Sequence, residues 1–174
     1  MMQRNAGLTL IELLVVLSIA AILATVGIPS FSKLLAETRI TSKSNVLMAH
    51  VQFARHSAIT LRTQVVACPS LDQFQCSGGN RWDQGWIVFI DRSNNGRPES
   101  ADDVLRVIAP EPRLLMHSAG RTRVRFQPTG GAFGTNLTIR VCDPSGRAQP
   151  RAVIVSNPGR ARVSSEVRSS DCLV

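Results

Sequence analysis

Three groups of residues could do chemistry. The first is basic. Arg121, Arg123 and Arg125 alternate along the chain, Gly159-Arg160-Ala161-Arg162 repeats the spacing, and Arg151 lies nearby in sequence. Residues two apart on a strand project from one face, so each stretch predicts a row of guanidiniums. A guanidinium is a planar fork of donors that fits phosphate bidentately. The second group is one carboxylate. Glu12 stands inside residues 8–28, which are otherwise almost wholly apolar. An acid in such a span is costly, so by default it has a partner and a function. The third is sulfur, in Cys68, Cys76, Cys142 and Cys172.

Charge is concentrated towards the C-terminus. The 174-residue chain has a net charge of +8, and 18 of its 20 basic residues are Arg. Residues 112–174 hold ten Arg against three acids, Asp143, Glu166 and Asp171, while residues 62–111 are net acidic. Tyr is absent, and Phe126 and Phe133 are expected in the core. With no aromatic interleaved, the basic rows predict phosphate-backbone contact without sequence preference. Arginines on an edge strand would also discourage strand-to-strand aggregation.

Four cysteines allow three pairings. Cys68 with Cys76 would close a short loop, and Cys142 with Cys172 would pin the tail, residues 164–174, to the sheet. No Cys-x-x-Cys pair supports zinc. Asp91-Arg92-Ser93-Asn94-Asn95-Gly96, with Asp102 at the twelfth position, partly mimics a calcium loop. Arg97 after the Gly, Asp rather than Glu at position twelve, and flanking strands favour a polar hairpin loop. His50 and His56 read as surface or capping residues, and His117 has no nucleophile beside it in any motif. No catalytic residues, metal site or cofactor are expected, and no enzymatic role.

These groups need positioning elements. Met1 to Gly7 is a short polar leader with one charge, Arg4, and its small residue precedes the apolar run. A secretory signal has its small-residue cleavage site after the run. A helix over residues 8–28 would be about 32 Å long, enough to cross a bilayer core. Pro29 predicts a kink. Residues 30–61 lack Gly and Pro and carry a stripe, Ile40, Ser44, Leu47, Val51, Ala54, Ala58 and Leu61, that would lie on a sheet. Strands are expected at 63–68, 86–91, 104–108, 113–118, 121–127, 137–142, 151–156 and 160–163. The fold class is α+β: one long N-terminal helix, transmembrane then amphipathic, packed on an antiparallel β-sheet domain. The organisation is a leader (1–7), a membrane helix (8–29), its amphipathic continuation (30–61) and a β-rich domain (62–174).

Gly7-Leu8-Thr9-Leu10-Ile11-Glu12 and the apolar run to Pro29 resemble the class III signal of type IV prepilins, with Leu8 where that family usually has Phe. Further on, Trp82-Asp83-Gln84-Gly85-Trp86-Ile87-Val88-Phe89-Ile90-Asp91, Val104-Leu105-Arg106, Phe126-Gln127-Pro128-Thr129-Gly130, Val141-Cys142-Asp143 and Asn157-Pro158-Gly159-Arg160 resemble the GspH/FimT family of minor pilins and pseudopilins. The resemblance implies a type IV pilin-like fold, cleavage by prepilin peptidase after Gly7 and N-methylation of Leu8. It implies that Glu12 pairs with the N-terminal amine of a neighbouring subunit. Gly159-Arg160-Ala161-Arg162 is similar to a Gly-Arg-x-Arg motif associated in FimT-like pilins with DNA binding during natural transformation. The implied partners are other minor pilins, the major pilin, the inner membrane and double-stranded DNA. The implied site is a single-pass inner-membrane protein with a periplasmic domain, later part of an extracellular pilus. The alternative is a type II secretion pseudopilin, or a structural tip subunit, that binds no DNA.

Overall fold

The computed structural model describes residues 9–172, and of Val26 the backbone alone. Gly7 and Leu8, the expected cleavage pair, lie outside the described residues.

One helix, α1 (Leu10–Leu61), runs for 52 residues and passes through Pro29. At 1.5 Å per residue it is about 78 Å long. Thr9 caps it: its hydroxyl accepts from the Glu12 backbone N–H at 3.3 Å. Glu12 therefore sits in the first turn, where a negative charge meets the positive end of the helix dipole. Thr9-x-x-Glu12 is the spacing of a capping box, so this acid has a local role in starting the helix. Leu10, Leu14, Leu17, Ile22 and Ile28 beyond it are all exposed. By length and composition the helix can cross a membrane, and its apolar stretch is unburied by the rest of the protein.

The lower half behaves differently. Ala36, Ile40, Ser44, Leu47, Val51, Ala54 and Ala58 recur three or four apart and are all buried. Leu61, expected to extend this stripe, is 48% exposed. It is the last helical residue, where the chain turns away through Arg62 in the left-handed region. His50 is half-buried, not a surface or capping residue, because its ring packs edge-on against Trp86 at 6.0 Å.

The stripe lies against two sheets, where one was expected. β1 (Val65–Pro69), β2 (Trp86–Ile90), β3 (Val104–Ile108) and β5 (Val124–Phe126) form the first, in the order β3-β2-β1-β5. β4 (Leu115–Ser118), β6 (Leu137–Cys142), β7 (Arg151–Val155) and β8 (Ala161–Ser164) form the second, in the order β4-β6-β7-β8. Every pairing is antiparallel. The chain divides between them because it crosses over after β3, returns for β5 beside β1, and crosses again. β1 and β2 are buried on both faces, which is why they read as continuous apolar runs. Val65, Ala67, Trp86 and Val88 join the main core under α1. Val66, Cys68, Ile87 and Phe89 form a second cluster on the other side.

Two disulfides fasten the periphery, Cys68–Cys76 and Cys142–Cys172. The second holds a 3-10 turn, Ser169–Cys172, against β6. His117 of β4 lies beneath that turn, and its Nε2 donates to the Asp171 carbonyl at 3.1 Å. Its Nδ1 is buried with no hydrogen-bond partner among the described residues. Burial first, and then the nearby Arg140, push the His117 pKa down. His50 is pushed down by burial, Arg106 and Lys43. With the folded pKa below the unfolded one, the unfolded chain binds more protons, so stability falls as pH drops below about 6.5. Thermal unfolding should therefore show a lower midpoint at pH 5.5 than at pH 7.5, and His117→Gln should reduce that difference. An undiminished difference in the variant would remove His117 from the account.

Candidate nucleic-acid interface

β8 is the edge strand of the second sheet. On it Arg162 stands opposite Ile154 and is exposed. Arg160 precedes the strand by one residue and is also exposed. A tight turn delivers them: Gly159 N–H donates to the Ser156 carbonyl at 2.8 Å, and Ser156 donates from N and Oγ to the Arg160 carbonyl at 3.0 and 3.1 Å. Gly159 has φ +79°, and a Cβ there would overlap the backbone carbonyl of Gly130. The same carbonyl accepts from Arg55 Nε of α1 at 3.1 Å. Ala132 N–H reaches across to the Asn157 carbonyl at 2.8 Å. Helix, loop 127–135 and turn 156–160 thus interlock around two glycines.

The outer face of this sheet holds a further basic residue. Ile154 faces Thr138 as well as Arg162, and Arg140 is two residues along from Thr138. Arg140 therefore shares the face of Arg162. Sequence reasoning passed over it, although the alternation Thr138-Ile139-Arg140-Val141 marks it as outward-facing. Arg121, Asn136, Thr138, Arg140, Ile154 and Ser156 line an open depression of about 700 Å³ on this side.

The other arginines are placed differently than expected. β5 spans only Val124–Phe126, so Arg121 and Arg123 precede it and no row of three lies on a strand. The segment before β5 is the crossover from the second sheet, folded as a turn in which Arg121 N–H donates to the Ala119 carbonyl at 2.9 Å. Arg121, Arg123 and Arg125 still border one depression of about 340 Å³. Arg125 is half-buried and its Nη1 donates to Asn94 Oδ1 at 3.4 Å. Arg123 lies over Gly96. Arg151 is on the opposite face from Arg162: it pairs with Val141 and shares parity with Val153, three residues from Ile154. Phe133, expected in the core, is 58% exposed, whereas Phe126 is buried.

Little negative charge opposes these groups. Among the described residues, no salt bridge engages Arg121, Arg123, Arg125, Arg140, Arg160 or Arg162. Asp143 is occupied by its own loop, accepting from Ser145 Oγ at 2.6 Å and from Arg147 N–H at 3.0 Å. Burial pushes its pKa up, but the Ser145 and backbone hydrogen bonds outweigh it and hold the carboxyl below its usual value. Asp91 accepts from Asn95 N–H and Gly96 N–H, both at 3.0 Å, and so organises its hairpin loop. Among the described residues no cluster of three His, Cys, Asp or Glu could hold a metal.

Residues 43–159 match the family model of the type II transport protein GspH, and residues 2–28 match the prokaryotic N-terminal methylation motif. Two crystal forms of the type IV minor pilin FimU of Pseudomonas aeruginosa have similar structures. One superposes with a TM-score of 0.61 at 19% identity, covering 78% of this chain and 96% of that one. The other gives 0.58 at 19%, covering 76% and 99%. At that identity the likeness is one of fold. No curated protein matches the chain.

The glycine interlock is testable. Gly120 and Gly159 both have positive φ, but a Cβ on Gly120 would meet open space. Gly120→Ala should cost roughly 1–2 kcal/mol, the penalty of the left-handed backbone alone. Gly159→Ala should cost clearly more, because the turn must move off Gly130. Urea unfolding of the two variants measures this, and an equal or reversed order would rule out the interlock.

Proposed function

The chain belongs to the family of the type II transport protein GspH, and on that premise we propose that it is a minor pilin of a type IV pilus that binds DNA during natural transformation. It incorporates into the filament or caps it. Its helix anchors it in the inner membrane before assembly, with the β-rich domain on the periplasmic side. Prepilin peptidase cuts after Gly7, and Leu8 is N-methylated. The solved minor pilins of similar fold favour a pilus. The family's own name favours the second reading, an H-type pseudopilin of a secretion system that works through protein contacts alone.

The observation that carries the DNA reading is the exposed pair Arg160, just before an edge strand, and Arg162 on it, with Arg140 on the face of Arg162 and, among the described residues, no salt bridge to any of them. Arg121 extends the surface across the depression. Arg123 and Arg125 line a second depression that Arg121 also borders, whereas Arg151 faces elsewhere. Guanidiniums without acid partners are free to take phosphates, and each phosphate neutralised releases counterion.

The full chain in neutral-detergent micelles should shift duplex DNA in a gel, with affinity falling as salt rises. Arg160→Gln/Arg162→Gln should weaken binding at least about tenfold and lower the salt slope by about two. Unchanged binding in the variant removes this assignment, and no binding by the wild-type chain removes the DNA reading.

Glu12 is the docking group of assembly, pairing with the terminal amine of a neighbouring subunit. Glu12→Ala should leave membrane insertion intact and reduce incorporation into sheared filaments. Normal incorporation would leave the carboxylate with only its role at the helix start.

A further inference from the structure

Phe133 does not fit a surface that only holds phosphates. It is 58% exposed, yet its loop is tightly held. Gln127 N–H donates to the Gly131 carbonyl at 2.8 Å and Gly130 N–H to the Gln127 carbonyl at 2.7 Å. The Thr135 hydroxyl accepts from Arg125 N–H at 3.1 Å and donates within the loop. The ring lies down over Gly131, where any Cβ would collide with the ring carbons. The Cδ2–Cε2 edge of the ring therefore lies close to the Gly131 backbone, while the residue as a whole stays mostly exposed.

Its loop is joined to basic segments of the chain. Ala132, next in the chain, is hydrogen-bonded to Asn157, three residues before Arg160. Gly130 of the same loop touches both Gly159 and Arg55. The sequence has no acid in residues 112–142 or 144–165, so neither the loop nor the Arg160 turn contributes negative charge.

We propose that Phe133 is a base-stacking platform beside the phosphate-binding arginines, so that this surface prefers single-stranded DNA to intact duplex. The inference rests on the DNA-binding reading above and sharpens its ligand. An exposed flat ring on a hydrogen-bonded loop offers a stacking surface to any base, and the guanidiniums of the neighbouring turn hold the backbone. In a duplex the base faces are already stacked on one another and the platform has nothing to take. Single-strand binding then has a stacking component that persists as salt rises, while the phosphate component falls away.

The test uses the full chain in neutral-detergent micelles, an oligothymidine single strand, and a hairpin duplex with the same number of phosphates. The wild-type chain should bind the single strand about tenfold more tightly than the duplex. Phe133→Ala should lose about 5- to 150-fold of its single-strand affinity and leave duplex binding unchanged. Phe133→Trp should retain the preference. Trp82 and Trp86 are buried, at 0% and 1% exposure, so the substituted ring is the exposed reporter. Its fluorescence should be quenched by the single strand and not by the duplex, a readout that stands even if Phe133→Ala fails to fold. Equal affinity for both strands, equal loss of both in Phe133→Ala, or no quenching at saturating single strand would each overturn the platform. The DNA reading would survive if Arg160→Gln/Arg162→Gln still lost duplex binding. Binding of neither strand by the wild-type chain overturns the DNA reading, and the platform with it.

Discussion

Both sheets rest on one stripe of α1. Ile40, Leu47 and Val51 are buried where the helix meets them, each contributing about 1.5–3 kcal/mol from burial. Ala54 and Ala58 continue the stripe with side chains small enough to let backbone approach. The helix touches β1, β2 and β5 of one sheet and β6, β7 and β8 of the other. The helix packs on both sheets, and the segment before β2 also bonds to β4 through Trp82 N–H to the Met116 carbonyl and Trp82 Nε1 to Ser118 Oγ.

The same helix changes character along its length. Among the described residues, the apolar side chains from Leu10 to Leu35 are exposed, and from Ala36 to Ala58 one face is covered. The covering domain keeps its basic groups at the end farthest along the chain. Two disulfides work at its margins: Cys68–Cys76 sits in the small cluster behind the first sheet, and Cys142–Cys172 holds the tail over His117. As far as Cys172 the tail lies over the β4 side of the second sheet, while Arg140 and Ile154 are half-buried and Arg162 is exposed.

The strands were legible because their composition is extreme. Leu137–Cys142 runs as the alternation predicts, since apolar side chains two apart must face one core. The alternation of Arg121, Arg123 and Arg125 obeys the same period for a different reason. A period of two in polar residues carries no burial requirement, so it does not enforce a strand, and the crossover turn claims the first two. Arg151 shows the converse: it lies close to Arg160 in sequence, but register sends it to the other side of the sheet. Phe133 was assigned to the core by residue type alone. Glycines on both sides of it place it in a turn whose backbone needs the interior contacts, and the ring is left outside.

The sequence by itself determined the long helix, its apolar and amphipathic halves, the carboxylate at its start, the order of the strands and the basic bias of the last third. These follow from local composition and period, which act through neighbouring residues. Only the tertiary structure decided that the strands divide into two sheets and that Arg140 joins Arg162. It also decided that Gly159 locks onto Gly130 and that an exposed ring stands beside the basic turn. Those outcomes depend on register and on the approach of segments far apart in the chain. That approach is set by which surfaces the common helix can cover at once.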